Sequence, residues 1–234
     1  LADPAIKALA LECEQQIDDL GGLPTRNPEE LLEVFTLLTW AAAALHEAGR
    51  TVPHAHTAAI ERIAPTLRTL RHSDGGLARF HGGGRGLEGW LDHALAASHV
   101  AGSHADGLAM GYARLSAGRS SVIIDANVPP LVAASNNGHA STLAFELTSG
   151  RRPFIVNCGS GEAFGVEWRR AGRATPSHST LCIEGHSSAR LKPPQKGSGH
   201  ESLTETPDNV PVEMSEIANG FRFQGGHNGF DRHF

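Results

Sequence analysis

Gly138-His139-Ala140-Ser141-Thr142-Leu143-Ala144-Phe145-Glu146-Leu147, with Gly150 and then Pro153-Phe154-Ile155-Val156-Asn157-Cys158-Gly159, is a pair of short apolar runs punctuated by glycine. β-branched and aromatic residues bounded by Gly, Asn and Pro favour strands joined by tight turns. The same texture extends both ways along the chain: Tyr112–Leu115, Ser121–Asp125, Thr142–Leu147, Pro153–Val156, Thr180–Ile183 and Val212–Phe223 all read as strands. No helical pattern of useful length separates them, which predicts an antiparallel sandwich rather than a parallel sheet. The polar stretch Pro193–Pro211 reads as a long mobile loop.

Upstream of residue 105 the apolar period is helical. Asp3-Pro4 opens one helix, with Pro at its first position, and Gly21-Gly22 closes it. Asn27-Pro28-Glu29-Glu30 opens a second, with a capping-box spacing from Asn27 to Glu30. Its apolar residues, Leu31 through Trp40, cover most of the circumference, so it should pack between other helices. A third helix runs from about His56 to Arg71 with a kink at Pro65, and Leu87–Ser98 forms a fourth. The expected fold class is α+β, with residues 1–104 helical and 105–234 an antiparallel β-sandwich.

Composition narrows the function. The chain has 234 residues, with 20 basic against 25 acidic side chains and a formal net charge of −5. No broad basic stripe is present, so nucleic acid is set aside as a partner. No apolar run approaches the roughly 18 residues of a membrane span. Cys13, Cys158 and Cys182 are odd in number and lack CxxC spacing, so neither a disulfide framework nor a zinc ribbon is expected. They are read as packed thiols, Cys158 included. The missing initiator Met and leader read as a start inside a longer gene product.

The strand-turn-strand segment is followed by Trp168-Arg169-Arg170-Ala171-Gly172-Arg173-Ala174-Thr175-Pro176-Ser177-His178-Ser179-Thr180-Leu181. Together they resemble the start of the β-domain in heparinase II/III-like proteins, a polysaccharide lyase group. Gly21-Gly22-Leu23-Pro24-Thr25-Arg26-Asn27-Pro28 and Ser73-Asp74-Gly75-Gly76-Leu77-Ala78-Arg79-Phe80 resemble loops between late helices of that family's α/α toroid. The resemblance implies a partial toroid followed by the sandwich, with parts of both missing, in a bacterial periplasmic or secreted setting.

The function it implies is β-elimination on an acidic polysaccharide containing uronic acid. A base removes the C5 proton, an acid protonates the leaving oxygen, and neutral or cationic groups hold the carboxylate. The resemblance puts His139 and His178 forward as catalytic residues, and Asn137, Arg169 and Arg173 as substrate-binding residues. Some relatives hold a structural zinc through two His and one Asp. His139 and His178 match those His positions, but Asn157 stands where the Asp belongs, and an amide brings no charge to offset the cation. Any zinc held by His139, His178 and Asn157 is therefore expected to bind weakly. Asn137 falls where some relatives have a catalytic His, Leu23 where they often have His, and Tyr112 matches no toroid Tyr. The alternative function is a non-catalytic carbohydrate-binding or assembly protein with a degenerate lyase site.

Plainer readings stand beside these. His178 also fits an imidazole bonded to backbone in a turn. Arg169 and Arg173 also fit ion pairs with Glu162 or Glu167, and Trp168 is more often core than a sugar platform. Gly82-Gly83-Gly84 lacks the Lys-Ser/Thr of a phosphate loop and reads as a flexible lip.

Overall fold

The computed structural model of the protein describes residues 2–193 and 201–232. Four helices come first: α1 (Ala2–Gln16), α2 (Pro28–Glu47), α3 (His54–Thr69) and α4 (Trp90–Ala97). Asn27 caps α2, its side-chain oxygen accepting from the backbone N–H of Glu29 and Glu30. Such a cap is worth about 1 kcal/mol. α3 continues through Pro65 as one helix. α3 lies against both α1 and α2, and α4 packs on α2, where Trp90 Nε1 donates to Thr36 Oγ1 at 3.0 Å. α2 is not packed all round as its composition implies. Leu37 and Trp40 are exposed, because α3 and α4 cover only the face that carries Leu31, Leu32, Phe35 and Leu38.

The strands follow: β1 (Tyr112–Ala117), β2 (Ser120–Asp125), β3 (Phe145–Ser149) and β4 (Arg152–Ile155) form one antiparallel sheet in sequence order. Tyr112 pairs with Asp125 and Val122 with Leu147. Successive side chains leave a strand on opposite faces, and here both faces are used. Tyr112 and Ile123 join Leu31, Phe35, Ile63, Leu67 and Phe80 in the largest core, under the helices. Ala113 and Ile124 face the other way, with Leu115, Val122 and Phe145 beside them. That face packs against Val212 and Phe223 of the hairpin β7 (Val212–Ile217) and β8 (Gly220–Gly225). Two-sided burial explains why Val122-Ile123-Ile124 is continuously apolar rather than alternating. The main core, with Met110 and Ala144 also in it, crosses the boundary expected at residues 104/105.

Several segments depart from the sequence reading. Thr180–Ile183 is not a strand; only an isolated bridge joins Ile183 to His186, and Leu181 is exposed. The segment around Trp168 forms a short helix, α5 (Val166–Gly172), started by Gly165 at a φ of 102°. A helix of two turns between glycines shows too few periods to be read from sequence. Part of the expected mobile loop lies outside the described residues. The part described is tethered: β6 (Leu203–Thr204) pairs with β5 (Arg190–Leu191), and Leu203 N donates to Ser135 Oγ at 2.8 Å. The glycines at 82–84 are no free lip. A Cβ on Gly83 would meet Asn27 Oδ1 at 2.3 Å, and Gly84 N donates to Glu29 Oε2 at 2.6 Å. Cys13 is buried as expected, but Cys158 and Cys182 are exposed. Among the described residues no helix is long and apolar enough to cross a membrane.

Candidate functional site

Where the helices meet the sheet, β2 ends in a carboxylate that is fully buried, Asp125. Its Oδ1 accepts from Arg26 Nη2 at 2.6 Å and its Oδ2 from Ser141 Oγ at 2.8 Å. Arg26, at the start of the turn into α2, also donates through Nε to Met110 O and through Nη1 to Val128 O. Its guanidinium lies 4.7 Å from the Tyr112 ring centroid, and Tyr112 OH donates to Arg26 O at 2.6 Å. Burial works against both charges. For Asp125 burial is the largest effect, but Arg26, His81 and Ser141 together outweigh it and hold the carboxyl down to about 2. Asp125 and Tyr112 together keep the Arg26 guanidinium above its usual value. Removing either partner would strand a buried charge, the costly case.

A line of three imidazoles runs from that pair. His81 Nε2 lies 3.4 Å from Asp125 Oδ2, long enough that the contact is electrostatic rather than a formed hydrogen bond. His81 Nδ1 accepts the backbone N–H of His139 at 3.1 Å, which places the His81 proton on Nε2, toward the carboxylate. His178 Nδ1 donates to Ala174 O at 2.9 Å, so its Nε2 accepts from His139 Nδ1, also at 2.9 Å. Burial pushes all three rings below the usual histidine range. His139 falls well below it, with His178 and His81 adding repulsion. His178 falls to about 4, the Ala174 carbonyl opposing its burial. All three rings are neutral near pH 7.

A second buried carboxylate, Glu146 on β3, accepts from His72 Nε2 at 2.9 Å and from the Asn157 backbone N–H at 2.9 Å. Arg79 Nη1 lies 3.5 Å from it. The Asn157 amide is engaged at both ends: Nδ2 donates to Arg79 O and Oδ1 accepts from Ser179 N.

These positions sort the expected residues into two sets. His139 and His178 are brought together, 2 % and 8 % exposed, and the second takes the backbone-bonded arrangement that was its plainer reading. Zinc does not fit the donors present. The two imidazoles satisfy each other, the Asn157 amide serves backbone groups, and no cluster of three His, Cys, Asp or Glu suited to a metal occurs among the described residues. Arg173 is corrected from anion binder to clamp. It is 1 % exposed, and its guanidinium donates to the carbonyls of Gly138, Ser135 and Glu201, at 2.8, 2.8 and 2.7 Å. Burial, with Arg169 nearby, lowers its pKa to about 10.

Asn137 and Arg169 remain at the surface and meet there. Arg169 Nη2 donates to Asn137 Oδ1 and to Asn136 O, each at 2.8 Å, rather than pairing with Glu162 or Glu167. Beside them α5 presents Trp168, which is 63 % exposed and stands edge-on to Phe164 at 6.2 Å. The core reading of Trp168 therefore gives way: α5 is too short and too peripheral to bury it. The sequence reading missed Asp125 and His81 altogether. One signal was present, a carboxylate closing the apolar run Val122-Ile123-Ile124, which is where a buried charge with a partner is expected.

Residues 100–234 match the family model for the heparinase II/III-like C-terminal domain. FtsZ-localized protein C of Caulobacter vibrioides is 34% identical over 193 residues, covering 81% of this chain and 33% of that protein. The chain thus spans about a third of the length of that relative. Among solved structures, a heparinase III superposes with a TM-score of 0.63 at 13% identity, covering 95% of this chain and 40% of that one. Heparan sulfate lyase HepC from Pedobacter heparinus gives 0.61 at 15% identity, over 96% of this chain and 39% of that one. At such identities the structures speak for the fold alone, a helical layer joined to an antiparallel sandwich, while the sequence match carries the family. The chain belongs to the heparinase II/III-like family.

Proposed function

We propose that this chain holds an acidic, uronic-acid-containing polysaccharide at the surface formed by Asn137, Arg169 and Trp168. The supporting observation is the placement of Arg169. Its guanidinium is anchored through one nitrogen to Asn136 O and Asn137 Oδ1, beside an exposed aromatic pair. A guanidinium fork matches a carboxylate, an amide can hydrogen-bond the same group, and an indole face packs on a sugar ring. The helices before residue 105 are the end of an α/α toroid in this reading, and the polymer lies where toroid and sandwich meet.

Elimination requires a base and an acid that reach the substrate. His139 and His178 are buried against each other, and the Tyr112 hydroxyl is fully buried on a backbone carbonyl. In the lyase reading those groups therefore come from other parts of the longer protein, and this chain supplies binding and orientation. Incubating the full-length protein with uronic-acid polymers tests it. A lyase yields an unsaturated end absorbing in the near ultraviolet, and Arg169→Ala raises KM more than it lowers kcat.

The rival reading is an assembly protein that keeps the fold without turnover. The relative named for its localisation with FtsZ favours it, being more similar in sequence than the lyase structures. Binding of a polymer with no unsaturated product selects the rival. Absence of any binding rejects both polysaccharide readings and leaves the assembly role.

A further inference from the structure

A second constellation lies apart from the Arg169 surface and shares no residue with it. The end of α3, the loop at 102–104 and strand β1 border an open cavity of about 370 Å³, lined by Arg68, Arg71, His72, His104 and Arg114 among others. Each guanidinium is anchored by one nitrogen: Arg68 Nη2 to Val100 O, Arg71 Nη2 to Asp92, and Arg114 Nη1 to Thr69 O and Arg71 O. Those contacts orient the three groups but leave much of their donor capacity unmet. Arg68 Nη1, Arg71 Nε, Arg114 Nε and His72 Nδ1 are buried and have no hydrogen-bond partner among the described residues. Buried polar atoms are normally paired, so orphaned nitrogens on four residues that line one cavity, three of them guanidinium donors, require an explanation. Anchoring alone does not supply one, since it accounts for a single nitrogen of each guanidinium.

Charge points the same way. Three guanidinium groups share the cavity, and the carboxylate bonded among them is that of Asp92 on Arg71. The buried Glu146 is already shared by His72 and Arg79. Crowding has a visible effect: Arg114 is driven below its usual pKa by burial and by the Arg71 charge, and His104 by burial and by Arg114 and Arg68. A planar carboxylate offers two oxygens to such a set. A tetrahedral oxyanion offers up to four, in directions that three separate guanidinium groups can reach.

From the cavity and its unpaired nitrogens we infer that Arg68, Arg71 and Arg114, with His72 and His104, form a binding site for a tetrahedral oxyanion, a phosphate or sulfate group. Gly102 in the outer wall is required by its backbone, at a φ of 139° that L side chains rarely adopt, and not by space, since an added Cβ would stand an ordinary 3.9 Å from Arg68 Nη1.

The test is titration of the chain with inorganic phosphate, and with inorganic sulfate, against chloride and acetate at equal ionic strength. The expected result is saturable binding of the tetrahedral ions, read by calorimetry and by movement of the His104 ring resonances. Arg71→Gln weakens it about tenfold or more, as loss of a charged hydrogen bond does, while Arg85→Gln, whose partner is Asp74 outside the cavity, leaves it unchanged. A sugar phosphate and a sulfated disaccharide then identify the source of the group, the tighter of the two naming it. Equal effects of chloride or acetate overturn the inference, as do unmoved His104 resonances in the unaltered chain, a readout independent of how the variants fold. Arg169→Ala should leave phosphate binding intact, so failure of the polysaccharide reading and failure of this one are distinguishable.

Discussion

Arg169 and Arg173 stand one turn of helix apart in the same basic segment, yet the fold uses them oppositely. Arg169 stays partly exposed on α5 and joins an exposed asparagine and an exposed indole. Arg173, just past the end of α5, turns inward and ties three backbone carbonyls, two in the turn from Ser135 to Gly138 and one at Glu201. The same division holds on a larger scale between the α5 surface and the Asp125 junction. Around Asp125, cation and carboxylate satisfy each other, and His139 pairs with His178, away from water. On α5 comparable groups keep capacity for a ligand. A charged side chain is informative about binding only when the protein has not already satisfied it.

The largest effect should come from breaking the junction. Asp125→Ala strands the Arg26 charge and should cost about 3–5 kcal/mol, measured by urea unfolding; a loss under about 1 kcal/mol would show that Arg26 escapes to solvent. Arg173→Ala leaves three carbonyls without their donor and should cost about 2–4 kcal/mol. Polysaccharide affinity in conditions where the variant remains folded should be unchanged. A folded variant that has lost binding would return Arg173 to the site and erase the contrast with Arg169.

Acid sharpens the comparison through the histidines. Unfolded histidine takes a proton near pH 6.5, whereas folded His178 resists until about 4 and His139 resists further still. The folded pKa values are depressed bases, so their neutral burial costs nothing above pH 6.5. Stability then falls as pH drops from 6.5 toward 4, by about 3 kcal/mol from His178 alone. Asp125 adds nothing in this window, since its carboxyl is held down to about 2. Urea midpoints that stay flat between pH 7 and 4.5 would contradict the assignment of neutral, buried rings.

The smallest effect on stability belongs to α5. Arg169→Ala and Trp168→Ala should each shift unfolding by no more than about 0.5 kcal/mol. Each should still weaken polysaccharide binding about tenfold, as loss of a charged hydrogen bond or of an aromatic contact does. Destabilisation comparable with Arg173→Ala would mean that α5 is as structural as the junction.

Local chemistry was enough to anticipate the four helices, the Asn27 cap and the antiparallel strands, and the family resemblance anticipated the meeting of His139 with His178. Caps, apolar periods and a segment with many family-matching residues are properties of neighbours along the chain. They read directly from order. The tertiary structure alone decided which polar residues point inward. Arg26 and His81 reach Asp125 from left-handed backbone positions, with φ of 51° and 46°, which no residue type announced. It also decided that Trp168 is exposed, that Arg173 is a clamp, and that Arg114 joins Arg68 and Arg71 at one cavity. Those outcomes depend on which groups converge after the helices close over the sheet. Desolvation and pairing are set by that convergence and not by spacing along the chain.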